Sequence, residues 1–136
     1  MIINKEKQIS TSKNNNVQLY KARNSGFKVT STALIIGVFH GDEPDGEYLV
    51  NSLINDIRDN SELLASSAIL FVPCLNPDGK VQNTRENAHG VDLNRDFPTK
   101  NQANFDKEPE LGTKFVMEVL HEYKPDRILT IHAPYG

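Results

Sequence analysis

His40 and Glu43 stand three positions apart in the segment His40-Gly41-Asp42-Glu43-Pro44. An imidazole and a carboxylate so spaced across a tight turn can aim a nitrogen and an oxygen at one point. Zinc accepts both donors at roughly 2.0–2.2 Å, and a catalytic zinc generally takes three protein ligands plus water. The third ligand must come from elsewhere, and His132, in Thr130-Ile131-His132-Ala133-Pro134, is the candidate. Between these residues runs the segment NTRENAHGVDLNRDFP, residues 83–98. Its Arg85 and Arg95 offer guanidinium groups, which grip carboxylates with two parallel hydrogen bonds. Asn94 adds amide donors beside Arg95. The chemistry within reach is a bound cation next to a clamp for an anion.

Each feature alone has an ordinary structural reading. His-x-x-Glu also describes a solvated histidine beside a carboxylate that favours a helix start. A strand-end histidine often satisfies a backbone group, and surface arginines are common in turn-rich loops. His89 lies in the polar loop and His121 near a helix end, and both are assigned to structure. Asp92 is read as a cap or brace for the loop, and Asp78 and Gly79 in Asn76-Pro77-Asp78-Gly79 as turn chemistry. Cys74 sits in the apolar run AILFVPCL, residues 68–75, and reads as a buried, unreactive thiol.

The elements that would position these residues follow from apolar patterning. Residues 33–39, ALIIGVF, form a continuous branched run that fits a strand buried on both faces. Pro44 suits a first helical turn, and Leu49, Leu53 and Ile57, with Val50 and Ile54 alongside, predict a helix over 44–58. Residues 68–75 predict a second core strand with Pro73 disturbing its end, and 127–131 a third. Leu111, Phe115 and Val119 mark another helix, stopped before Pro125. Residues 17–22 alternate weakly, as an edge strand would. Residues 76–104 carry no apolar period, and long loops of that kind are usually functional. Strands alternating with helices imply an α/β fold, a mainly parallel or mixed sheet flanked by helices. The domain reading is a loose polar lead-in over 1–16 and one catalytic-type unit over 17–136. The three core strands each end in polar residues, at His40, Asn76 and His132. In open α/β sheets ligands bind beyond the carboxyl ends of the strands, so these turns are expected to converge.

Composition bounds the partners. The chain has 136 residues and a net charge of −3, against a broad nucleic-acid surface. One cysteine excludes an internal disulfide. No run reaches the ~20 apolar residues a bilayer span needs, and the first sixteen residues lack the apolar core of a secretory signal. The expectation is a cytoplasmic protein with no nucleic-acid or membrane partner.

The motifs HGDE (40–43), NPDG (76–79), Arg85, GVDLNRDFP (90–98) and TIHAPYG (130–136), in that order, resemble the zinc metallocarboxypeptidases. Within that family the segments look most like a bacterial amidase subgroup that cleaves the γ-D-glutamyl–meso-diaminopimelate bond of cell-wall peptides. The resemblance implies a small peptide substrate and one Zn2+ held by His40, Glu43 and His132. It implies that Arg85 stabilises the oxyanion and that Asn94 and Arg95 hold a free substrate carboxylate. Digestive members have an arginine where Asp42 stands, which favours the amidase-like subgroup. The family's general base is a glutamate well after the third ligand. No residue here matches it, and Glu108 and Glu110 do not fit that motif. The expectation is an incomplete carboxypeptidase-like domain of low isolated activity, with an exposed sheet edge through which it could self-associate. An enzyme rival is an N-acyl amino acid deacylase of the succinylglutamate desuccinylase/aspartoacylase type, which shares an H-G-x-E start and an N-R-x-F-P segment. A non-enzyme rival is a zinc- or peptide-binding module.

Overall fold

The computed structural model describes residues 1–100 and 107–134. Among these, five strands form one sheet: β1 (Ile2–Ser10), β2 (Asn16–Arg23), β3 (Ser31–Gly37), β4 (Ser67–Val72) and β5 (Arg127–Ile131). Their order is β1-β2-β4-β3-β5. β4, β3 and β5 are mutually parallel, whereas β1 and β2 form an antiparallel hairpin that joins β4 antiparallel. The helices are α1 (Asp45–Asp59), α2 (Pro77–Gln82) and α3 (Leu111–Tyr123), with 3-10 turns at Ser61–Leu63 and Leu93–Arg95. The mixed α/β sheet read from the sequence is the fold observed.

Successive residues of β3 feed opposite layers, which is why its sequence is apolar without interruption. Leu34 and Ile36 pack with Phe115, Val116 and Val119 of α3. Ile35 packs with Val50, Ile54 and Ile57 of α1. Both helices are rotated slightly from the expected stripes. α1 turns Val50 and Ile54 inward and leaves Leu49 50% exposed, and α3 buries Val116 while Leu111 remains 48% exposed.

Three expectations need correction. Residues 2–10, read as part of a loose lead-in, form β1. Its polar side chains face solvent from an edge strand, while Ile3 and Ile9 pack against the core. An irregularity between Lys5 and Lys7 shifts the register, and such a bulge flips which residues face inward, hiding the two-residue period. β2 is not an edge, because β1 covers it. β5 forms where expected but, among the described residues, is an edge strand paired only with β3, and Ile128 and Leu129 are 53% and 56% exposed.

Candidate metal site

Three turns at the carboxyl ends of β3, β4 and β5 meet, as the parallel arrangement requires. Asn76 ties two of them together. Its backbone N–H donates to Val38 O at 2.9 Å, and its buried side-chain amide donates to Phe39 O at 3.1 Å and Glu86 O at 3.2 Å. Asn76 Oδ1 accepts from Gly79 N at 3.0 Å, capping α2 with Pro77 in its first turn. The segment NPDG therefore opens a helix. Asp78 is structural, as read, since its Oδ1 accepts from Thr11 Oγ1 and Asn15 Nδ2, both at 2.7 Å, and anchors the β1–β2 turn. Gly41 is required for close approach rather than for a bend: a Cβ there would run into the Gly79 backbone. Just before it, Val38 sits at φ 56°, a region a β-branched residue rarely adopts and one that costs about 1–3 kcal/mol.

His40, Glu43 and His132 each offer a ligand atom within 4.8 Å of the others. His40 Nδ1 lies 2.7 Å from Glu43 Oε2, and His132 Nδ1 lies 3.3 Å from Glu43 Oε1. The other nitrogen of His40, Nε2, lies 2.9 Å from Asp92 Oδ1. Asp92 also accepts from Arg85 Nε at 3.0 Å and from Asn94 N at 2.9 Å. A carboxylate with those donors stays ionised and accepts from His40 Nε2. Nδ1 is the nitrogen turned toward Glu43, on the side where an ion would be held together with Glu43 and His132. A histidine oriented by a carboxylate on its far nitrogen is the usual second-layer support of a metal ligand.

Further contacts fix the other two groups. Ala133 N–H donates to Glu43 Oε1 at 2.8 Å. The Phe39 ring stacks on His132 with centroids 5.8 Å apart. Burial raises the Glu43 carboxyl, but the Ala133 N–H, the His40 hydrogen bond and the two imidazoles outweigh it and hold the group below its ordinary value. Asp92 is likewise raised by burial and lowered further by His40, the Asn94 N–H and Arg85. Both carboxylates are thus anionic where a metal ion would need them. His40 is buried, Glu43 half-buried, and His132 the most open of the three. A cleft of about 200 Å³ opens beside Glu43 and His132, lined also by Leu49, Ile131 and Pro134.

The catalytic-domain model of the succinylglutamate desuccinylase/aspartoacylase family matches residues 29–126. The chain belongs to this family. Its relatives extend into the carboxypeptidases. Carboxypeptidase SOL1 of Arabidopsis thaliana is 38% identical over 110 residues, covering 72% of this chain and 22% of that protein. Murein peptide amidase A of Escherichia coli (strain K12) is 28% identical over 126 residues, covering 76% of this chain and 49% of that protein. A solved metallo-carboxypeptidase from Pseudomonas aeruginosa superposes with a TM-score of 0.79 at 23% identity, covering 97% of this chain and 35% of that one. The fold is that of the metallocarboxypeptidases, and the chain spans less than half the length of each of these proteins.

The desuccinylase/aspartoacylase match includes His40, Glu43, Arg85, Asn94 and Arg95, while His132 lies beyond it. The structure brings His40, Glu43 and His132 together and links Arg85 to them through Asp92. Asn94 and Arg95 stand exposed on the 3-10 turn, where Arg95 Nη1 donates to Asn94 O at 3.1 Å. Sequence reasoning read Asp92 as a loop brace but did not see its bond to His40. Its place two residues before Asn94-Arg95 was the available signal.

Proposed function

We propose that this chain carries the metal-binding part of a zinc-dependent hydrolase that cleaves a peptide or amide bond beside a free carboxylate, in a cell-wall (murein) peptide. The observation that carries this reading is the convergence of His40, Glu43 and His132 with Asp92 behind His40. These donors suit zinc. When bound, the ion would supply Lewis acidity, polarising the scissile carbonyl and acidifying water. Asp92 holds His40 in the tautomer that leaves Nδ1 free to ligate, and the Ala133 N–H fixes Glu43. Arg85 stabilises the oxyanion of the tetrahedral intermediate, a contribution of about 3–4 kcal/mol for such a donor. Asn94 and Arg95 hold the substrate's free carboxylate. No residue of the sequence matches the family's base glutamate, so this segment by itself is expected to bind metal without fast turnover. The likeness to murein peptide amidase A supports the cell-wall substrate.

A second reading is favoured by the family match itself: hydrolysis of an N-acyl amino acid, as a deacylase. Both substrates place a carboxylate near the scissile amide, so the same residues would serve. Assays of the longest protein containing this segment, with γ-D-glutamyl-diaminopimelate peptides and N-acyl amino acids side by side, separate them. Turnover of the peptide alone is expected, and turnover of the acyl amino acid alone would replace the first reading with the second. Stoichiometric zinc with neither activity would leave a non-catalytic binding module. His40→Ala is expected to abolish stoichiometric zinc in elemental analysis, and unchanged zinc content would remove the ligand assignment.

A further inference from the structure

The loop that carries Arg85, Asp92, Asn94 and Arg95 is held by Asn76 at its start and gripped from the other side by Glu110. Glu110 is the N-cap residue of α3. One of its carboxylate oxygens, Oε1, accepts from Asn87 Nδ2 at 2.8 Å and faces His89 Nδ1 at 2.7 Å. Asn87 is in turn the hub of a closed turn. Its Oδ1 accepts from His89 N and Val91 N, both at 3.0 Å, and its own N–H donates to Val91 O at 2.9 Å. The backbone N–H of Glu110 donates to Asp96 Oδ2 at 2.7 Å, at the far end of the same loop. Beside it the loop packs closely on the helix, because a Cβ on Gly112 would lie 2.9 Å from Leu93 Cδ1. The first turn of α3 thus clamps the loop on both sides of Asp92, the residue that meets His40 and Arg85.

We propose that Glu110 is a positioning residue for the metal site: by holding Asn87 and His89 it fixes the loop that delivers Asp92 to His40 and sets Arg85 beside it. The inference rests on the reading of His40, Glu43 and His132 as metal ligands. Glu110 touches none of them, so its influence passes through the loop. Support residues behind metal ligands typically change affinity by roughly 10–100-fold. A clamp one step further back should fall near the lower end.

Cobalt(II) is the probe, because its visible absorption reports ligand geometry and its affinity can be measured by chelator competition without any substrate. Wild type, His40→Ala, Asp92→Ala, Glu110→Ala, Glu110→Gln and His89→Ala are compared, with thermal unfolding of each recorded in parallel. The expected result is cobalt affinity about tenfold weaker in Glu110→Ala with an altered absorption band. Glu110→Gln, which keeps an acceptor for the Asn87 amide, should return most of the affinity. A merely structural role would lower the unfolding temperature and leave affinity and spectrum alone, and that result overturns the inference even while Asp92→Ala weakens binding. If Glu110→Ala does not fold, His89→Ala decides, since its exposed ring supplies only one of the two grips. A few-fold weakening supports the clamp, and unchanged affinity overturns it. If wild type and His40→Ala both fail to bind cobalt, the metal reading falls and takes this inference with it.

Discussion

His40 is met by two carboxylates, one on each ring nitrogen, and they do different things. Glu43 shares the space in front of Nδ1 with His132, whereas Asp92 holds Nε2 from behind and reaches Arg85 with its other oxygen. The grouping of His40, Glu43 and His132 was legible in the sequence because turns at the carboxyl ends of parallel strands converge. The Asp92 contact was not, because it exists only once the segment holding Arg85 and Asp92 folds back onto the turn after β3. Arg85 gives the first residue-scale prediction. In a complete enzyme containing this segment, Arg85→Ala should lower kcat by about 10²–10³-fold with KM little changed, as loss of an oxyanion donor does. Steady-state kinetics checks this, and a pure KM effect would make it a binding residue. Cys74 gives the second. Burial pushes its thiol up to about 12, so the reactive thiolate is absent at neutral pH. An aromatic disulfide reagent at about pH 8 should leave the native protein unmodified and react with one thiol per chain in denaturant.

At the scale of elements, the contact between the β3–α1 turn and α2 sets a hard limit. Gly41→Ala would force the ligand turn away from Gly79. The expected outcome is a loss of roughly 1–3 kcal/mol in urea unfolding, the range for overpacking, together with loss of bound zinc. The grip of Glu110 gives a pH prediction. Burial raises its carboxyl, but Asn87, His89 and the positive charges of His89 and Lys107 outweigh burial and hold it below its ordinary value. A carboxyl so held adds stability above its unfolded value of about 4.3, and loses it as pH falls through the lower folded value. The stability of wild type over Glu110→Gln, from urea curves, should be positive near neutral pH and shrink in acid. A gap that widens in acid contradicts this. Helix α1 was readable from its stripe to within a residue at each end, yet not which of two overlapping stripes turns inward. β1 was missed because its bulge breaks the alternation and its exposed face is as polar as a tail.

Across the whole molecule, the sheet divides into an antiparallel hairpin half and a parallel half, and the candidate site sits at the carboxyl ends of the parallel half. Alternation of strands and helices predicted the parallel half. No local pattern of residues determines the order of strands or reveals that β5 is an edge among the described residues. Among the described residues no helix is long and apolar enough to cross a membrane. The open edge of β5, with Ile128 on one face and Leu129 on the other, is a template for pairing with another strand. Sedimentation velocity should show concentration-dependent association, reduced by Leu129→Lys; a strictly monomeric chain at every concentration would contradict it.

The hydrogen bond from Ala133 to Glu43 spans 90 positions, and the same strand delivers His132. During synthesis on the ribosome, two of the three grouped donors emerge early and must wait for the third until β5 docks. On the proposed metal reading, ion capture would coincide with the last long-range pairing of the fold, so a filled site would act as a latch on that strand, and a chelator would loosen first the part of the molecule assembled latest.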